Sequence, residues 1–120
     1  MSNVASHAAA FYKQVASSGV LWTLRDSGGF PAPVSESGQR AQPFWSSRSR
    51  VDLIIQGSPA YRGFEPVEIS WHAFKEKWVP GLTQDKILVG VNWSGVKAKG
   101  YDLAPSQVVA NVEALRHAAP

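Results

Sequence analysis

The sequence predicts an α+β protein, a single-domain layer sandwich in which a small mixed, largely antiparallel sheet of four to five strands packs against about four helices. Three observations lead to this prediction. Apolar residues recur every three or four positions over residues 4–17, which is the period of an amphipathic helix. Residues 20–25 alternate in the manner of a half-buried strand. Residues 87–91 are almost continuously apolar, which is typical of a central strand covered on both faces.

The composition indicates an ordinary globular chain. Its 120 residues suit one domain, predicted to span residues 1–120 with an ordered core over about residues 4–117. Hydrophobic residues make up 44% and charged residues 18%, so disorder is not expected. The net charge of +3 falls short of the clustered positive field of a dedicated nucleic-acid binder.

Two absences in the sequence restrict the chemistry and the compartment. The chain has no cysteine, which excludes disulfides, thiolate nucleophiles and Cys-ligated zinc. No apolar run approaches the roughly 18 residues that span a bilayer, and the N-terminus lacks the basic start and apolar core of an export signal. We therefore expect a cytoplasmic protein that does not associate with membranes.

The remaining elements follow from turn, cap and breaker residues. Residues 26–29, DSGG, are predicted to turn, and RAQPFW that follows at 40–45 is predicted as a short strand. The intervening FPAPV contains two prolines, which confine any strand there to a short edge position.

Three further helices are predicted in the second half of the chain. Residues 47–57 carry an apolar stripe at helical spacing and end in glycine. Residues 63–70, GFEPVEIS, are predicted as a strand, and Ser70 is placed to cap a third helix, which is expected to end at the Pro-Gly pair 80–81. Pro105 suits the first turn of a fourth helix.

Several partial motifs do not reach the pattern that their chemistry needs. GVNWSGVK, from Gly90 to Lys97, resembles a phosphate-binding loop but has valine where the loop requires lysine. KGYDL at 99–103 begins like an RNA-stacking strand and lacks its second aromatic. His72 and Glu76 lie one helical turn apart without a third ligand, so we expect no metal and no cofactor.

Neither His7 nor His117 has a serine or aspartate partner recognisable by spacing. These two histidines therefore give no indication of nucleophilic catalysis, and no catalytic residue is predicted.

The strand-to-helix joint is the candidate binding site. Free N–H groups and the positive end of the helix dipole favour anions at a helix start. Ser46, Ser47, Arg48 and Arg50 stand at this start and are candidate anion or ligand-binding residues. A capping serine and solvated arginines explain the same residues without any ligand, and both interpretations remain open.

The same segments resemble a known family. Several segments of the chain are similar to small bacterial proteins catalogued as domain of unknown function 2750. In order, these segments are VLWTLRDSGGF, QPFWSSRSRVD, FEPVEISWHAFKEKWVPGL and ILVGVNWSG followed by GYDLAPSQV. The resemblance runs from about Phe11 to Leu115, and the proline-rich FPAPV departs from it. It implies a bacterial, cytoplasmic, single-domain protein with alternating helices and strands. It implies no activity and carries over no catalytic residue.

Two classes of function are consistent with these residues. The first is a non-enzymatic protein-binding or regulatory module, with Trp45 and Trp93 at predicted element ends as candidate interface anchors. The alternative is a small-molecule anion binder or enzyme using the joint from Trp45 to Arg50. Nucleic-acid binding is a distant third possibility. The sequence gives no indication of the partner's identity or of the oligomeric state.

Overall fold

The computed structural model describes residues 4–35 and 38–118, which form four helices and five strands, so the α+β class is confirmed. The helices are α1 (Val4–Ser18), α2 (Arg48–Gly57), α3 (residues 71–84) and α4 (Pro105–Ala118). The strands are β1 (Val20–Arg25), β2 (Ala41–Phe44), β3 (Glu65–Ser70), β4 (Leu88–Ser94) and β5 (Lys99–Leu103). A 3₁₀ turn at Pro59–Tyr61 lies between α2 and β3.

The strands form two small sheets that are joined at one point. β1 pairs antiparallel with β3, while β4 lies between β2, which is parallel to it, and β5, which is antiparallel. Trp22 in β1 and Trp45, just after β2, each donate a backbone N–H to the other's carbonyl, with N···O distances of 2.7 and 2.6 Å. This pair connects the sheets in the order β3, β1, β2, β4, β5.

Beside this bridge, a side chain adds a hydrogen bond between the two sheets. Pro43 in β2 has no N–H to contribute to a ladder. The hydroxyl of Thr23 donates to the Pro43 carbonyl at 2.8 Å, and the Gln42 amide donates to the Thr23 hydroxyl at 3.3 Å. Thr23 and Gln42 are both buried, so this small network satisfies polar groups at the junction of the two sheets.

Two hydrophobic clusters cover the sheets, and β1 contributes to both. Leu21 belongs to the cluster that includes Phe11 and Phe44, whereas Leu24 belongs to the cluster that includes Trp45 and Val51. Two of the six residues of β1 are half-buried and one is exposed, so the prediction of a half-buried strand holds, although Leu21 and Leu24 are buried on opposite faces. The prediction for β4 is confirmed, since it is the central strand of its sheet and five of its seven residues are buried.

Helix α3 does not end at the Pro-Gly pair as expected. It begins with Trp71–Ala73, passes through a π turn at Phe74–Trp78, and continues as Val79–Gln84. The Val79 N–H bonds to the Phe74 carbonyl five residues back, so Pro80 stands in the first turn of the next α segment. Proline is tolerated there because the N–H it lacks would have no partner in a new first turn. The predicted Ser70 cap is confirmed, with Ala73 N donating to Ser70 Oγ at 3.0 Å.

Glu113 in α4 holds α3 and α4 together. Its carboxylate accepts hydrogen bonds from the Lys75 ammonium and, at 3.3 Å, from the Trp71 indole N–H. Arg116 and His117 of α4 lie 3.9 and 3.3 Å from its second oxygen. The Lys75 hydrogen bond is the main cause that lowers the pKa of Glu113 below its ordinary value.

This lowered pKa predicts a specific pH dependence of stability. Because the Glu113 pKa is lower in the folded chain, its carboxylate stabilises the fold above the unfolded pKa of about 4.3, and this contribution is lost as the pH falls through the folded pKa. We expect Glu113→Gln to lower the free energy of unfolding at pH 7 and to flatten its decline in acid, as measured by urea unfolding across that range. The matched control is Glu76→Gln, because Glu76 is exposed on α3. If the free energy of unfolding of Glu113→Gln falls as steeply in acid as that of the wild type, the prediction is contradicted.

The junction between the sheets predicts a second effect. Thr23→Val keeps the shape of the side chain but removes the donor to Pro43, so we expect a loss of about 1–3 kcal/mol in the free energy of unfolding. Thr23→Ser retains the hydroxyl and should lose less. Urea unfolding measures both variants, with an unchanged slope as the check that the unfolded state is comparable. Wild-type stability of Thr23→Val would show that the hydrogen bond contributes nothing.

Candidate functional site

A groove of about 420 Å³ lies between the start of α1, helix α2 and the turn that joins β4 to β5. This volume is within the range of about 300–1,000 Å³ that is typical of small-ligand sites. The side chains that give the groove its chemical character are His7, Arg50, Leu53, Ile54, Trp93 and Val96.

Trp93 lies across the two strands at the base of the groove. A Cβ placed on Gly90 would approach Trp93 Cε2 to 2.3 Å, and one on Gly100 would approach Trp93 Cδ1 to 2.9 Å. The indole N–H donates to Asp102 Oδ1 at 2.9 Å, which fixes the outer edge of the ring. Both glycines therefore leave the space that the indole fills.

A β-bulge at Asn92 directs Trp93 to this place. Between Val91 and Ser94, β4 advances three residues while β5 advances two, from Tyr101 to Lys99. Asn92 has a φ of 49°, in the left-handed region that asparagine tolerates better than most residues. Gly90 and Trp93 are three residues apart, so on a regular strand their side chains would face opposite sides. The extra residue of the bulge turns Trp93 to the same side as Gly90 and places its ring over that glycine.

The side chain of Asn92 is buried in a polar network behind the groove. Its Nδ2 donates to the His7 carbonyl and to Ser46 Oγ, both at 3.0 Å, and its Oδ1 accepts from Ser46 N at 2.9 Å. Ser46 Oγ also donates to the Gln14 amide oxygen. The network connects α1, β4 and the start of α2, and in it the hydroxyl of Ser46 has structural partners.

The four candidate anion-binding residues do not converge on one site. Ser46 is buried in the network just described. Ser47 caps α2, accepting from Arg50 N at 3.3 Å, as the capping interpretation expected. Arg48 donates to Asp52 at 3.3 Å and lies over the Trp22 ring, 5.5 Å from its centroid. Only Arg50 lines the groove, because a helix turns about 100° per residue and sends its neighbours elsewhere.

The two tryptophans proposed as interface anchors are both buried. Trp45 is fully buried and its indole N–H donates to the Trp93 carbonyl at 2.8 Å. Trp93 is 5% exposed. Their burial does not support the interpretation of these tryptophans as interface anchors, since each indole N–H finds a partner inside the fold.

The apolar side chains that do reach the surface at the groove were missed from the sequence. Leu53 is 69% exposed and Val96 is 67% exposed, and they stand on different walls. For Leu53 a signal existed, because it falls outside the helical stripe of Val51, Ile54 and Ile55. A single apolar residue on the polar side of an amphipathic helix is common, and Leu53 becomes informative only because it borders the groove together with Val96.

One hydroxyl–imidazole contact at the groove was also missed. Ser94 Oγ lies 3.2 Å from His7 Nδ1, a pair separated by 87 residues in the chain. Nucleophilic catalysis needs the base to be oriented by a third group. Within the described ranges, Ser94 is the only side chain that hydrogen-bonds the His7 ring. The contact therefore supplies polar groups at the edge of an apolar groove.

Two findings concern metals and membranes. In residues 4–35 and 38–118, no three His, Asp or Glu side chains are grouped so as to hold a metal ion, and His72 and Glu76 are exposed. Over the same residues, no helix has both the length and the apolar character to cross a bilayer.

The fold and the groove define a small α+β protein with an apolar recess that is bordered by a cation. Residues 8–112 match the family model described as "Protein of unknown function (DUF2750)", so the chain belongs to that family and the resemblance seen in the sequence is confirmed. A search of curated proteins found no match.

The close fit of Trp93 over Gly90 predicts a destabilising substitution. We expect Gly90→Ala to lower the free energy of unfolding by about 1–3 kcal/mol or more, because the added methyl group overlaps the indole. Gly81→Ala is the matched control: it stands in α3, a methyl group added there meets nothing within 4 Å, and it should stabilise by about 0.5–1 kcal/mol. Urea unfolding followed by tryptophan fluorescence measures both. If Gly90→Ala unfolds at the wild-type urea concentration, the described position of the indole is wrong.

Proposed function

We propose that this chain is a non-enzymatic protein-binding module of the bacterial cytoplasm and that it binds its partner in the groove beside α2. The observation that carries the proposal is the exposure of two large apolar side chains, Leu53 and Val96, on different walls of the same recess. Single exposed apolar residues are common, whereas two that border one concavity mark a contact surface.

The energetics favour a short partner segment over a broad face. Complete burial of a leucine or valine side chain contributes about 1.5–3 kcal/mol, and both residues start largely exposed. Ile54 and Trp93 are already buried and offer a fixed apolar surface beneath them. A recess of about 420 Å³ accommodates one or two side chains of a partner. Affinity would then come from a few anchoring residues that enter a preformed site.

The alternative is a small-molecule anion binder, and one observation favours it. Arg50 is the one member of the predicted anion set that lines the groove. The site would then be the recess itself and not the strand-to-helix joint, because Ser46, Ser47 and Arg48 are engaged elsewhere.

Substitutions on the groove walls test the proposal. Peptides selected from a random displayed library on the immobilised wild-type chain should bind Leu53→Asp and Val96→Asp at least about tenfold more weakly, since a buried carboxylate is strongly penalised. Val34→Asp is the matched control, because Val34 is also 69% exposed but does not line the groove. Calorimetry with the selected peptides gives the affinities.

The proposal fails if the selection yields no peptide, or if the selected peptides bind Leu53→Asp as tightly as the wild type. If millimolar carboxylates or phosphates raise the melting temperature while no peptide binds, the small-molecule alternative replaces it.

A further inference from the structure

We infer that the groove recognises the C-terminal residue of a partner protein, with an apolar last side chain in the recess and the terminal carboxylate on Arg50. The inference rests on the proposed protein-binding function and names the chemistry of the bound segment.

Arg50 carries a charge that the described part of the chain leaves unpaired. Arg25 bonds to Glu65 at 2.7 Å, and Arg48 bonds to Asp52 at 3.3 Å. In residues 4–35 and 38–118, the Arg50 guanidinium has no hydrogen bond and no carboxylate within 4 Å, and it is half-buried. No aspartate or glutamate of these residues lines the groove.

The position of Arg50 in the first turn of α2 adds to this unbalanced charge. A cation near a helix N-terminus is disfavoured by the helix dipole. Arg48 has Asp52 four residues later as compensation, whereas Arg50 has Ile54 at the equivalent position. An anion bound at Arg50 would remove the imbalance.

The lining of the groove determines which kind of anion fits. Leu53, Ile54, Trp93 and Val96 present apolar surface, which a bare inorganic ion would not use. A ligand must therefore combine an apolar group with the charge. The planar guanidinium matches a carboxylate through two parallel hydrogen bonds.

The spacing along α2 indicates that the two groups belong to one residue. Arg50, Leu53 and Ile54 are related by three and four positions, so they lie on one face of the helix about one turn, roughly 5.4 Å, apart. A C-terminal residue carries its carboxylate and its side chain on the same Cα and so presents both within that distance.

The probe is a pair of dipeptides that differ only in charge. Acetyl-Leu-Leu with a free carboxylate and the same dipeptide as its carboxamide are titrated into ¹⁵N-labelled chain. We expect both to shift the Trp93 indole and Gly95 amide resonances, with the carboxylate binding about fivefold more tightly, as a partly exposed charged contact of about 1 kcal/mol gives.

Variants of two arginines in the same helical turn assign the preference. Arg50→Gln should make the two dipeptides bind equally, and Arg50→Lys should retain part of the preference, because lysine keeps the charge without the planar fork. Arg48→Gln is the matched control and should leave the ratio unchanged, since Arg48 lies over Trp22 outside the groove. Urea unfolding of each variant verifies that it is folded.

Three results would overturn the inference. Equal binding of the two dipeptides by the wild type would show that Arg50 does not select a carboxylate, and the protein-binding proposal would stand if library peptides still depend on Leu53. Equal shifts with acetate or inorganic phosphate would show an anion site that ignores the apolar surface. If a carboxamide dipeptide that contains a glutamate binds more tightly than acetyl-Leu-Leu with a free carboxylate, the groove prefers a side-chain carboxylate to the carboxylate of a C-terminal residue. Failure of the proposed function itself is distinguishable, because then neither the dipeptides nor the library peptides bind.

Discussion

Asn92 adopts a left-handed backbone conformation in the middle of the central strand β4, and the placement of three neighbouring parts of the molecule follows from it. The extra residue places Trp93 over Gly90 as the base of the groove. The Asn92 amide bonds to the His7 carbonyl and to Ser46, which positions α1 and the start of α2 around that base. The groove is thus built from one irregularity in a strand that is otherwise regular and buried, in keeping with the frequent use of bulges to re-aim side chains.

The junction of the two sheets depends on a similarly small number of contacts. β1 and β2 share only the Trp22–Trp45 backbone pair within the described ranges, and Pro43 beside it has no N–H to extend a ladder. Thr23 supplies a donor from its side chain, so the buried Pro43 carbonyl is paired at that point. Leu21 and Leu24 stand three positions apart and so face opposite sides of β1, which places one in each hydrophobic cluster.

Local signals made much of the fold predictable, whereas the candidate site depends on contacts that span the chain. The caps at Ser47 and Ser70 and the central β4 each depend on residues within a few positions. The end of α3 was missed because a π turn moved Pro80 into a tolerated position, and one extra backbone residue in a turn leaves no pattern in the sequence. The role of Ser46 depends on Asn92, 46 residues away, and spacing cannot reveal such a pair. Arg48 and Arg50 were named as candidates for one site, and their spacing alone did not reveal their separation around the helix.

That separation distinguishes an arginine with structural partners from the one that we propose as a recognition residue. The two stand two positions apart, so the helix directs them about 200° apart around its axis. Arg48 finds an aromatic face and an acid on its own helix, and these contacts account for its presence. Arg50 opposes the helix dipole and borders apolar surface with no acid beside it in the described ranges, so it costs stability without a structural return. We propose that a ligand which brings the missing carboxylate and covers the exposed leucine and valine side chains at the same time accounts for a cation placed at such a cost.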